Sequence, residues 1–215
     1  MLRFALPFAL LAAPAFACET PVCQVDPNTL ALPRVITFED QSATMGPGHL
    51  INDPWVLPGV VLAERFVGQT LGYTGDFDTV HGPANNPLTP QAGLPGQTMS
   101  LVMMSGNKVL NGYGRAAFPS RDGQGEGAIS ILFDEDQAAL AFDIRGGEGG
   151  RARVMFLRRD GSVITTLRVQ RLHEYAVGFE RNNGVVDIAG VIIMNDDPQG
   201  LALDNLRFGN INILG

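Results

Sequence analysis

Between Gly127 and Phe208 the chain repeats one unit, a short apolar run followed by a turn signal. GAISILF (127–133) alternates and puts Ile129, Ile131 and Phe133 on one face, the period-2 pattern of a half-buried strand. Ala139–Ile144 reads as the next strand, and the glycine-rich run 146–150 as a flexible turn. In RARVMFLRR (151–159), Arg151, Arg153 and Met155 point opposite to Ala152, Val154 and Phe156. Asp160-Gly161 tolerates positive φ at both residues and predicts a two-residue hairpin leading into Ser162–Gln170. Tyr175–Glu180, a turn at Asn182-Asn183-Gly184, Val185–Met194, a loop at 195–200 and Leu201–Phe208 complete the series. No stretch shows a clean 3.6-residue period, so crossover helices and a βαβ fold are excluded.

The first half is less regular. Gly (26) and Pro (14) are frequent while hydrophobic residues reach 45%, a mix suited to short strands and tight turns. Arg34–Phe38 and Gly59–Phe66 (GVVLAERF) read as strands, 41–54 as loop, and 101–104 and 109–113 as weaker strands. Residues 68–98 lack a pattern. A stretch of that length is either a functional loop or an excursion packed on a sheet, with room for a short helix. Together these signals predict an all-β jelly-roll sandwich of about nine or ten antiparallel strands, with a long loop region in the first half. The domain spans 34–209, preceded by a lead-in at 18–33 and followed by a tail at 210–215.

Residues 1–17 read as a signal peptide: Arg3, an apolar run from Phe4 to Leu11, then Ala15-Phe16-Ala17 as a cleavage site. The apolar run is too short for a membrane helix, which takes about 20 residues. The product is expected in the periplasm or outside the cell, with no membrane span in the mature chain. Cys18 would become its first residue, as a free N-terminus or as a lipid-bearing one. Cys18 and Cys23 can pair in an oxidising compartment as a local staple. The net charge is −7 and the only lysine is Lys108. A chain so acidic, without a basic cluster, is not expected to bind nucleic acid or an anionic membrane surface.

Catalytic motifs are missing. There is no G-x-S-x-G and no H-E-x-x-H, and His49, His81 and His173 are scattered. Asp76 and Asp78, with His81 nearby, could bind a metal or form an acid–base pair; solvation of a loop is the alternative. Sugar binding needs aromatic platforms beside planar polar groups. Trp55, Tyr73, Phe77 and Tyr113 are candidates, with Asn111 and Arg115 beside Tyr113. Trp55 could instead pack beneath the 68–98 excursion.

Phe38-Glu39-Asp40, GAISILFDEDQAALAFDI (127–144), VMFLRRDGSVITTLRV (154–169), YAVGFE (175–180), GVVDIAGVIIMNDD (184–197) and LALDNLRF (201–208) occur in one order. In that order the chain resembles the secreted ectodomains of PEP-CTERM-type bacterial proteins, which are similar to carbohydrate-binding modules and galactose-binding-like jelly rolls. The likeness covers about residues 34–208. The sequence ends at Gly215 without the sorting signal, so an unanchored product is expected. The resemblance implies a structural Ca²⁺ joining Glu39 or Asp40, after the first strand, to Asp204 on the last. The alternative is that Asp204-Asn205 caps a bulge and Glu39-Asp40 starts a loop. Ca²⁺ is the one cofactor expected. The function expected is non-catalytic binding of a polysaccharide or an envelope or matrix protein, through loops 49–115, with Trp55, Tyr73, Asp76, Asp78, Tyr113 and Arg115 as contacts. A structural or interaction protein is one alternative. A hydrolase acting through Asp76, Asp78 and His81 is the other.

Overall fold

The computed structural model describes residues 19–147 and 149–210. The expected leader and Cys18 lie outside them; Cys23 is disulfide-bonded. The N-terminal part forms β1 (Val22–Val25), β2 (Arg34–Ile36), β3 (His49–Ile51), β4 (Trp55–Leu57), β5 (Val60–Ala63), β6 (Arg65–Phe66), β7 (Thr70–Thr74), β8 (Phe77–His81), β9 (Pro90–Gln91), β10 (Met99–Met104) and β11 (Asn107–Gly112). The remainder forms β12 (Ile129–Gln137), β13 (Ala139–Arg145), β14 (Arg151–Leu157), β15 (Val163–Gln170), β16 (Tyr175–Arg181), β17 (Ile188–Asn195) and β18 (Ala202–Phe208). No described helix is long and apolar enough to cross a membrane.

Two antiparallel sheets face each other. The larger runs β1-β16-β13-β18-β11-β10-β3, with β2 also on β18; the smaller runs β15-β14-β17-β12-β5-β4. From β12 onward the chain passes back and forth between the sheets, which is the jelly-roll winding the turn spacing predicts. The alternation in the sequence decides what enters the core. Ile129, Ile131, Phe133, Val154 and Phe156 of the smaller sheet meet Leu140, Phe142, Ile144 and Phe179 of the larger. Phe179 lies 5.7 Å from Phe142 and 5.2 Å from Phe156, centroid to centroid. Buried aromatics of this kind supply much of a core's apolar area.

There are more strands than the nine or ten expected, because short ones hide in segments read as lead-in or loop. Val22–Val25 pairs with β16, and His49–Ile51 with β10. Residues 68–98 prove to be an excursion packed on a sheet. They hold a β7–β8 hairpin rather than a helix, and they cover the outer face of the smaller sheet. There Phe66, Val80 and Leu88 pack on Ala128, Ala189, Ile192 and Met194 as a second core. Gly190 permits this closeness, since a Cβ there would meet Phe66 Cζ at 2.8 Å and Leu88 Cδ1 at 3.0 Å.

One local expectation is corrected, and one strand departs from simple alternation. The Asp160-Gly161 turn is longer than two residues: β14 ends at Leu157 and β15 resumes at Val163. Gly161 alone takes positive φ, at 86°, while Asp160 Oδ1 accepts the Ser162 N–H at 2.9 Å. In β18 simple alternation fails at Asn205, whose φ is 47°. A register shift against β13 falls there, so Leu203, Leu206 and Phe208 face the core while Ala202 lies in a separate cluster with Val102 and Val109.

Candidate functional site

Strand β4 is only three residues long, and it pairs with β5 so that Trp55 stands opposite Leu62. The Trp55 indole is half-buried and stacks on Phe38, centroids 5.8 Å apart at 23°. Phe38 is 1% exposed and belongs to the main core. Trp55 therefore rests on that core through Phe38, not beneath the 68–98 excursion. Beside it opens a cleft of about 370 Å³ lined by Gln41, His49, Asn52, Asp53 and Pro54 among others, within the size range of small-molecule sites. Asn52 is braced from behind: its Oδ1 accepts the Gly96 N–H at 2.8 Å, and its carbonyl accepts the Thr98 hydroxyl at 3.3 Å. An indole among planar amide, carboxylate and imidazole groups offers a surface for C–H bonds and partners for hydroxyls. Gln41 also lines a larger cleft of about 610 Å³ with Arg34, Leu57, Pro58 and Phe208, so it forms part of the wall of both.

The other expected contacts do not converge on Trp55. Tyr73 is 40% exposed and lies under the Arg115 guanidinium, 5.4 Å from ring centroid to Cζ. Tyr113 is no platform. It is fully buried, its hydroxyl donates to the Ser120 carbonyl at 2.6 Å, and its ring packs on Phe118. The reason is its position just past β11, where the chain turns inward beneath residues 114–123. Asp76 is exposed and Asp78 buried. His81 does not meet Asp78, because its Nε2 bonds the Thr79 hydroxyl at 2.8 Å. The acid–base pair is therefore not formed.

Asp78 has different neighbours, which sequence reasoning missed. Glu64 at the break between β5 and β6, Asp78 on β8 and Glu126 before β12 are all buried. Glu64 pairs with Arg65, and Asp78 Oδ2 accepts the Ala128 N–H at 3.2 Å. Glu64 Oε1, Asp78 Oδ1 and Glu126 Oε2 are buried with no hydrogen-bond partner among the described residues. Burial pushes Glu64 up to about 7 against the pull of Arg65. Burial and then the Glu64 charge push Asp78 up to about 7. Burial, helped by Asp76, Asp197 and Asp78, pushes Glu126 up to about 8. The available signal was a carboxylate inside the apolar run GVVLAERF and another between Gly125 and Gly127.

Two of the carboxylates that the resemblance assigns to calcium, Glu39 and Asp204, have hydrogen-bond partners within the protein. Glu39 Oε1 accepts the Lys108 main-chain N–H at 2.8 Å. The carbonyls of Glu39 and Gln41 accept from Lys108 Nζ. Asp204 Oδ2 accepts the Asn107 and Asn205 amides at 2.9 and 3.0 Å, and its Oδ1 accepts the Asn205 main-chain N–H at 2.7 Å. Asp40 is exposed beside the larger cleft. Ca²⁺ needs six to eight free oxygens. Glu39 Oε1, the Glu39 and Gln41 carbonyls and both Asp204 carboxylate oxygens already accept from Lys108, Asn107 and Asn205. No group of three or more His, Cys, Asp or Glu among the described residues could hold a metal.

Fold and cleft together define an all-β sandwich with an aromatic-floored surface site. No family model and no curated protein matches the chain. Among solved structures, one variant of a family 29 carbohydrate-binding module is similar over 52% of this chain and 76% of its own, at 13% identity and TM-score 0.34. A second variant is similar over 54% and 83%, at 12% identity and TM-score 0.34. A third, complexed with mannohexaose, is similar over 50% and 75%, at 13% identity and TM-score 0.20. Values this low carry no residue roles across.

Proposed function

We propose that this chain is an exported, non-catalytic β-sandwich that binds a glycan in the cleft beside Trp55. The carrying observation is the indole braced on Phe38 and set among Gln41, His49, Asn52 and Asp53. The glycan belongs to a polysaccharide or to an envelope or matrix component. Export to the periplasm or beyond rests on the leader-like residues 1–17. Kinship with PEP-CTERM-type ectodomains rests on the ordered strand motifs. The buried carboxyls do not favour a hydrolase. A Cβ on Gly93 would meet Glu64 Oε1 at 2.4 Å, and one on Gly114 would meet Glu126 Cβ at 2.6 Å, so these acids are packed against main chain.

Trp55 is the only tryptophan, so its emission reports on the cleft directly. Titration of the mature protein with glycans selected on an array should shift that emission. Trp55→Ala should weaken binding on the order of thirtyfold, the effect of losing about 2 kcal/mol at an aromatic anchor. An array with no binder, or binding that Trp55→Ala leaves intact, rules the reading out. Capture of a protein partner that sugars do not compete with would favour an interaction component instead.

A further inference from the structure

A third cleft, of about 320 Å³, opens on the outer face of the larger sheet and shares no lining residue with the Trp55 cleft. Its floor is the apolar cluster Val102, Val109 and Ala202. Strand register builds the rest. Arg145 on β13 stands opposite Ala202 on β18, and Ala202 stands opposite Asn111 on β11. A guanidinium, a methyl and an amide thus form one row across three strands. Gln124, Gln199 and Arg121 close the rim from loops.

The charge of this cleft opposes that of the molecule. Its lining contains two arginines and no carboxylate, in a chain of net charge −7. Arg121 is exposed and enters no ion pair among the described residues. Arg145 is loosely held, with Nη2 3.4 Å from Asp204 and 3.6 Å from Asp143. Asp204 already accepts shorter bonds from Asn107 and Asn205. Arg145 Nε is buried without a partner among the described residues. The exposed Arg121 guanidinium, which has no ion pair among the described residues, is matched best by a planar carboxylate, and Arg145 adds a second, weakly paired cation beside it. Side-chain amides bond hydroxyls in either direction, and an apolar floor accepts the C–H face of a ring.

We propose that this cleft binds a carboxylate-bearing saccharide, with Arg121 and Arg145 on the carboxylate of a uronic acid unit, Asn111, Gln124 and Gln199 on its hydroxyls, and the ring over Val102, Val109 and Ala202. The site is independent of the Trp55 cleft.

The test is calorimetric titration of the mature protein at low salt with short oligomers of galacturonate, glucuronate and mannuronate. Neutral oligomers of equal length and succinate serve as controls. At least one uronate should bind about tenfold or more tighter than its neutral counterpart, and should weaken as salt screens the arginines. Arg121→Ala should cost about tenfold or more, as expected for a lost charge-assisted bond. That side chain is exposed, so its melting curve should match the parent. Trp55→Ala should leave uronate binding unchanged. The proposal fails if no uronate binds, if neutral oligomers or succinate bind as tightly, if Arg121→Ala retains full affinity, or if Trp55→Ala abolishes uronate binding.

Discussion

Lys108 is tied to Glu39 through both its main chain and its side chain: Lys108 N donates to Glu39 Oε1 at 2.8 Å, and Lys108 Nζ donates to the Glu39 carbonyl. Nζ also donates to the Gln41 carbonyl at 2.7 Å. The ammonium thus fastens the segment after β2 to the β10–β11 turn, where the family resemblance implies a cation. Lys108→Met removes two charge-assisted bonds to partly exposed carbonyls and should cost about 1–3 kcal/mol. In a chain of this size that is a fall of about 2–12 °C in melting temperature. Excess chelator should leave the parent melt unchanged. A parent protein that melts several degrees lower in chelator would show that an ion, not Lys108, holds this corner.

The buried carboxyls set the pH dependence. Glu64, Asp78 and Glu126 bind protons more tightly folded than unfolded, so they favour the fold while protonated. That stability is present below their unfolded values near 4 and is lost as pH rises toward 7–8. Asp187 acts in the opposite sense. Its side-chain bonds from Arg181, reinforced by those from Arg158, hold it below the usual carboxylate range, so its contribution is lost as the solution turns strongly acid. Stability should therefore peak near pH 4, with melting temperature falling between about pH 4 and 8. Asp78→Asn should flatten that fall and raise the melting temperature at pH 8. A melt that stays constant or climbs from pH 5 to 8 would show these acids ionise without penalty.

Asn205 is held in a conformation that most residues resist, with φ at 47°. Its side chain explains the choice: Nδ2 donates to Asp143 Oδ2 at 2.8 Å and to Asp204 Oδ2 at 3.0 Å. Asn205→Gly keeps the backbone and loses both bonds. Asn205→Val loses the bonds and adds about 1–2 kcal/mol of left-handed strain. Denaturant midpoints should fall from parent to glycine to valine. Valine matching glycine would mean that the bulge relaxes at little cost.

That bulge also marks where sequence reading ends. Alternation places Ile129, Ile131 and Phe133 in the core because β12 is regular there. Simple alternation in LALDNLRF places Asp204 on the same face as Leu206 and Phe208, but one left-handed residue, Asn205, exchanges the faces without changing composition. Trp55 was legible as a candidate from residue type. Its bracing by Phe38 was not, since that contact joins segments on either side of a loop. Glu64 lies between β5 and β6 and Asp78 on β8, and their burial depends on the excursion folding back over the smaller sheet. The cleft around Arg145 depends on the register of β11, β18 and β13, which long-range pairing alone decides.

Phe38 gives a way to separate the Trp55 surface from the fold beneath it. Its φ is 61°, an uncommon value for a bulky side chain, and its ring is buried against the indole. Phe38→Leu keeps an apolar side chain in the core but removes the flat support, and should cost about 1–2 kcal/mol in stability. The indole should then sample more orientations. Its emission should move to longer wavelength, and glycan affinity should fall about three- to tenfold, less than in Trp55→Ala. If Phe38 serves only as core, the melting temperature alone should drop while emission and affinity hold. If it also positions Trp55, all three should change together, and affinity should recover in Phe38→Tyr, whose ring restores the stack.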